Sequence, residues 1–216
     1  MKKLIYSIFA FTALTMVSCG GAEDTETKEG EGHETETVEE VAISGTYNTA
    51  EGASVVWKAK HYADADYVHV GTVPTSGNVV VDNNAVIGGE FTFNIVSLDE
   101  NGDTDYTKML EGHLQDSTFF NTVLFPSATF KITGTEAGKV MGDLTVIGVS
   151  QPVTIEGELS VTDTEVSIVG STTVDMLGFS MPFLLMSEQA PEEEKGNSPD
   201  PKIVVEIDLK LAKAAM

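Results

Sequence analysis

The run from Ile203 to Leu211 constrains the fold most. Ile203, Val205, Ile207, Leu209 and Leu211 alternate there with Glu206, Asp208 and Lys210. Successive side chains of a strand point to opposite faces, so this run makes one apolar and one charged face. So regular a strand at the end of a chain predicts pairing with an early strand and closure of the sheet. The same period of two recurs upstream. Ala53, Val55, Trp57 and Ala59 share a face, and Tyr67 to Val81 gives further strand, broken near Pro74 and Gly77. Gly88-Gly89 precedes a strand in which Phe91, Phe93 and Ile95 share a face. Ala128 to Ile132 and Val140 to Ile147 alternate around a turn at Gly138, and Gly148 with Pro152 marks the way into a third run. Val153, Ile155, Leu159 and Val161 form one face of that run, and Val166, Ile168 and Val174 repeat the arrangement.

About eight short strands, turns roughly every dozen residues and a single helix over Tyr106–Leu114 specify an all-β barrel or sandwich. Closure would remove the exposed strand edges that invite aggregation. The inward positions carry Val, Ile, Leu, Phe and Trp and no charge. A small antiparallel barrel either fills its interior with such side chains or leaves a slot for one apolar ligand. Periodicity does not separate the two.

Residues 1–18 read as a removable secretory signal: Lys2 and Lys3 lead the apolar run Leu4–Val17, which is too short to span a bilayer comfortably. The sole cysteine follows at once, and MVSC resembles a bacterial lipoprotein box, with Cys19 acylated as a membrane anchor. Residues 19–41 read as an acidic disordered tether, with nine acidic side chains between Gly20 and Glu40 and almost nothing apolar to offset chain entropy. Residues 42–214 hold the domain, and 187–202 (SEQAPEEEKGNSPDPK) reads as an acidic mobile loop. The predicted location is the cell envelope, outer-membrane-anchored and facing the periplasm, with surface display as the variant.

A net charge of -22 on 216 residues excludes nucleic acid as a partner, because phosphates would be repelled. One cysteine excludes an internal disulfide framework and a cysteine metal cage. Nothing resembles a G-x-S-x-G nucleophile elbow or a glycine-rich phosphate loop, so no catalytic residue is assigned and no enzyme is expected. His61 and His69 could face each other across a hairpin, but a structural or exposed role is the expectation, as is a helix-end role for His113. Asp99, Glu100, Asp103 and Asp105 around Asn101-Gly102 lack the terminal bidentate glutamate of a calcium loop and read as a solvated turn. No metal site and no cofactor are expected.

Two blocks carry a family resemblance. The first is Leu114, Phe119, Phe120, Val123, Pro126, Ala128, Thr129 and Phe130. The second is Gly142, Leu144, Thr145, Gly148, Val149, Pro152 and Val153, with Trp57, Gly71 and Ser97-Leu98 in suitable places upstream. In these the chain resembles the YceI-like proteins, lipocalin-like barrels of the bacterial envelope, over roughly Ile43 to Ala212. The resemblance implies a closed or nearly closed antiparallel eight-stranded lipocalin-like barrel with one short helix. It also implies an interior tunnel for an extended apolar molecule, typically a polyisoprenoid or quinone tail, and no catalytic constellation. Met176, Met181 and Met186 stand where relatives more often carry a polar or basic stretch, and the acidic loop looks like an insertion. The inward residues expected to line the tunnel are Trp57, Phe91, Phe93, Ile95, Phe130, Ile132, Leu144, Val146, Ile155 and Ile168. A lipid carrier is the leading expectation, and a ligand-free interaction module on an acidic tether is the alternative. Oligomeric state stays open.

Overall fold

The computed structural model describes residue 42 onward, save residues 63, 65 and 216. The expected signal segment, the lipidation at Cys19 and the tether lie outside the described residues. Ten strands follow in chain order. They are β1 Gly45–Thr49, β2 Ser54–Lys60, β3 Val68–Asp82, β4 Ala85–Asn94, β5 Asp99–Glu100, β6 Ser127–Glu136, β7 Lys139–Val146, β8 Val149–Val161, β9 Glu165–Asp175 and β10 Lys202–Lys213. Helix α1 spans Asp105–Gln115 and helix α2 spans Pro182–Glu188. Short 3-10 segments occupy Ile95–Ser97, Met176–Phe179 and Glu192–Asn197.

All strand pairs are antiparallel, and β10 joins β9 on one side and β2 on the other, which closes an eight-stranded barrel. The two extra strands continue existing lanes. β1 pairs β10 and β3 beyond the end of β2, and β5 pairs β3 at Gly71 and Thr72 beyond the end of β4. The terminal strand therefore does close the sheet, with eleven register pairs to β9 from Lys202↔Asp175 to Ala212↔Glu165.

Three expectations need correction. The barrel carries two helices among the described residues, not one. Helix α2 reads PFLLMSE, whose near-continuous apolar start shows no helical period, and Pro182 supplies the fixed φ of a first helical position. Its end takes in Ser187 and Glu188, and Glu192–Asn197 is a 3-10 turn, so the 187–202 stretch is partly helical where a loop was expected. Strand β4 also begins before Gly88-Gly89, because Asn83 and Asn84 adopt φ of 49° and 66° and make the two-residue hairpin turn. Ile147-Gly148, at φ 44° and 79°, turns β7 into β8 in the same way.

Two glycines let bulky inward rings approach the neighbouring backbone. A Cβ on Gly71 would lie 2.0 Å from the Asp99 carbonyl and 2.5 Å from Trp57 Nε1, and one on Gly142 would lie 2.5 Å from Phe130 Cζ. The interior divides across the barrel's height. Tyr47, Val79, Val81, Val140, Val166 and Leu211 plug the end bounded by the β3–β4, β6–β7 and β8–β9 turns. At the opposite end the segments 95–126 and 176–201 lie across the barrel.

Candidate functional site

The unplugged end holds an apolar cavity of about 180 Å³. Period-two strand positions make its wall. Trp57 stands opposite Gly71, Phe93 opposite Ala128, and Phe130 opposite Leu144. Val146, Val153, Ile155, Val174 and Val205 complete much of the ring, and among the described residues Thr172 and Asp200 are the only hydroxyl or charged ones in the lining. So apolar a surface offers dispersion contact and few fixed hydrogen-bond partners, which suits hydrocarbon and disfavours a polar solute.

The cover is built from two segments. The C-terminal turn of α1 brings in Leu114, and the following loop brings in Phe119 and Phe120; Met176, Met181 and Leu184 come from the second segment. The helix is set by Thr104, whose hydroxyl caps Thr107 N at 3.1 Å, while the Thr107 hydroxyl accepts from Thr104 N. Past the helix, the Asp116 carboxylate accepts from Thr118 N at 2.6 Å and from its hydroxyl at 2.5 Å, which shapes the turn presenting Phe119 and Phe120. These bonds hold the Asp116 carboxyl below its ordinary range. The two segments join through stacked Phe119 and Phe183 rings, 4.8 Å between centroids, and through Phe183 N donating to Thr118 O at 3.0 Å.

One side of the wall is split. β8 pairs β9 only from Glu156↔Ser171 to Val161↔Val166, so Val149–Ile155 bonds to β7 alone. Pro152 sits in that unpaired stretch, where its missing N–H costs no ladder bond. The turn Met176–Phe179 covers the split, with Gln151 Nε2 donating to Gly178 O at 2.9 Å.

Of the residues expected to line an interior tunnel, the structure brings together Trp57, Phe93, Ile95, Phe130, Leu144, Val146 and Ile155 around the cavity. Phe91, Ile132 and Ile168 are not on it. They point inward as expected but are 3%, 4% and 2% exposed within the packed core, at and below the cavity floor. The cavity is thus a half-depth cup above a packed lower core. Alternation tells which face a residue takes and not its height along the barrel axis. The cover residues Leu114, Phe119, Phe120, Met176, Met181 and Leu184 lie outside any strand, so period-two alternation does not place them on the cavity. Their signal was the FF pair and the Met-rich segment.

A polar cluster lies beside the mouth. His69 follows Ala59 across the β2–β3 pair, and Ala59 lines the cavity. His69 Nδ1 lies 2.5 Å from Glu100 Oε1 and its Nε2 lies 3.2 Å from His61 Nε2. The expected solvated turn at Asp99–Asp105 is therefore corrected at Glu100, which β5 draws into the interior to 6% exposure. The Tyr67 and Tyr106 rings pack on His69 at 5.0 and 6.2 Å, and the hydrogen bond with Tyr67, burial and Glu100 raise the Tyr106 hydroxyl above its usual range.

The comparisons with known proteins agree with this geometry. Structural similarity reaches Burkholderia cenocepacia BcnA with a TM-score of 0.57 at 18% identity, covering 73% of this chain and 94% of that one. A polyisoprenoid binding domain from Saccharophagus degradans gives 0.56 at 11% identity, covering 79% and 99%. Protein YceI of Escherichia coli O6:H1 is 39% identical over 61 residues, which is 26% of this chain and 31% of that protein. A UPF0312 protein of Yersinia pestis is 34% identical over 86 residues, 33% and 44%. The chain thus spans less than half the length of these curated relatives. The family model of the YceI-like domain matches residues 47–211, from buried Tyr47 on β1 to Leu211 on β10, which is the whole closed barrel with its cover; the chain belongs to the YceI-like family.

Proposed function

We propose that the barrel binds an apolar lipid of the polyisoprenoid or quinone type, one end of which occupies the cavity, for transport, storage or protection. The observation that carries this reading is the cavity itself: about 180 Å³ of space, apolar on nearly every side, under a two-part cover. A similar reading is supported by the polyisoprenoid binding named for the Saccharophagus domain. A cavity near 150 Å³ lined by aliphatic side chains stays dry and takes up benzene. Space of this size accepts about one ring or a few branched carbons, so the rest of a long lipid leaves past the cover or through the split beside β8. We further propose anchoring in the envelope through acylated Cys19; Cys19→Ser is expected to release the protein from the membrane fraction, and unchanged membrane association would refute the anchor alone.

Binding is tested with farnesol and geranylgeraniol, monitored through Trp57, the single tryptophan, which stands in the cavity wall. The wild type is expected to bind in the micromolar range or tighter, and Ala128→Trp, which fills the space, to lose binding while still melting cooperatively. The packed lower half of the barrel favours the second reading, a ligand-free interaction module. That reading gains if wild type and Ala128→Trp are equally inert toward both alcohols and the protein drawn from its own host is empty by native mass spectrometry.

A further inference from the structure

We propose that His61 and His69 form a binding site for a divalent first-row transition metal of the zinc, nickel or copper class, with Glu100 orienting His69 from behind. The two Nε2 atoms lie 3.2 Å apart. Two nitrogens on one tetrahedral ion at the usual zinc–nitrogen distance are separated by about 3.3 Å, so the pair already has the spacing of two ligands to one cation. Glu100 fixes the chemistry of the second nitrogen. Its Oε1, 2.5 Å from His69 Nδ1, accepts that proton and leaves Nε2 as the lone-pair nitrogen facing His61. A carboxylate behind a ligating imidazole sets its tautomer and raises its basicity.

A second observation points the same way. Glu100 is 6% exposed, its Oε1 is met by His69 Nδ1, and its Oε2 has no hydrogen-bond partner among the described residues. A buried carboxylate so poorly satisfied is costly unless positive charge lies near it. A cation held by the two Nε2 atoms places that charge one imidazole away. Among the described residues no third histidine, cysteine or carboxylate completes the set. Imidazole ligands select the zinc, nickel and copper class over magnesium and calcium.

The full-length protein, stripped with chelator, is titrated with zinc chloride and nickel chloride by calorimetry, with magnesium chloride as the control. One equivalent of zinc is expected to bind, more weakly as the pH falls because the ligands must be deprotonated. His61→Gln, at a half-buried position, is expected to weaken binding at least about tenfold without unfolding the barrel, and Glu100→Gln by roughly 10- to 100-fold. X-ray absorption of the zinc form is expected to show two imidazole nitrogens. Absence of binding up to millimolar zinc overturns the proposal. Equal affinity in wild type and His61→Gln, or an all-oxygen shell, places the ion on surface carboxylates and overturns it as well.

Discussion

Gly71 shows how little freedom single residues have around the cavity. It lies between Trp57 of β2 and Glu100 of β5, and any side chain there strikes both the Asp99 carbonyl and the indole. Gly71→Ala is expected to cost about 1–3 kcal/mol, as overpacking does, and to shift the tryptophan emission, measured by thermal melting and fluorescence on one sample. Asp116 gives a different kind of prediction. Its carboxyl is held below the ordinary range by the Thr118 hydroxyl and amide, so its contribution to folding is present above about pH 4 and fades as the pH falls through the lower, folded value. The group is exposed, so the effect is small. Melting temperatures of wild type and Asp116→Asn should differ at pH 7 and converge near pH 2.

At the scale of elements, the cover is joined by fewer bonds than the barrel wall. Its two segments meet through one aromatic stack and one backbone hydrogen bond, whereas β10 alone exchanges bonds with β9 along eleven pairs. Phe183→Ala removes the stack, a loss on the order of 1 kcal/mol at that contact. It is expected to speed uptake of a farnesol probe in stopped flow while barely changing the melting temperature. The strands were legible in the sequence because alternation survives wherever one face is buried. The elements of the cover were half legible. Tyr106–Leu114 read as a helix, but Pro182–Glu188 did not, since helices held by tertiary contacts to a cavity need no regular stripe of their own. The sequence alone allows His61 and His69 to face each other across a hairpin. What hid the pair's environment was Glu100, which the acidic run around it disguised as solvent-facing and which the two-residue strand β5 turned inward.

For the molecule as a whole, the most exposed apolar side chains among the described residues lie largely on the outside of the same cover. Val123 and Leu124 are 90% and 68% exposed and Met186 is 63% exposed. With a chain charge of -22, attraction to anionic lipid cannot drive approach to a bilayer, so these side chains are a contact the barrel itself offers. Val123→Asp with Leu124→Asp is expected to slow transfer of a fluorescent isoprenoid from neutral phosphatidylcholine vesicles several-fold and to leave its equilibrium affinity in solution unchanged.

The floor at Phe91 and Phe130, with Ile168 packed beneath it, gives the barrel a blind end. If a lipid is the guest, as proposed, it enters this blind cup tip first, and everything beyond the first few carbons lies outside the cavity wall. Selection then acts on the terminus of a chain and is indifferent to how many units follow. Isoprenoids sharing the same dimethylallyl tip but differing in unit number would compete as near equals, while a blunt or branched cap on that tip would exclude even the shortest of them.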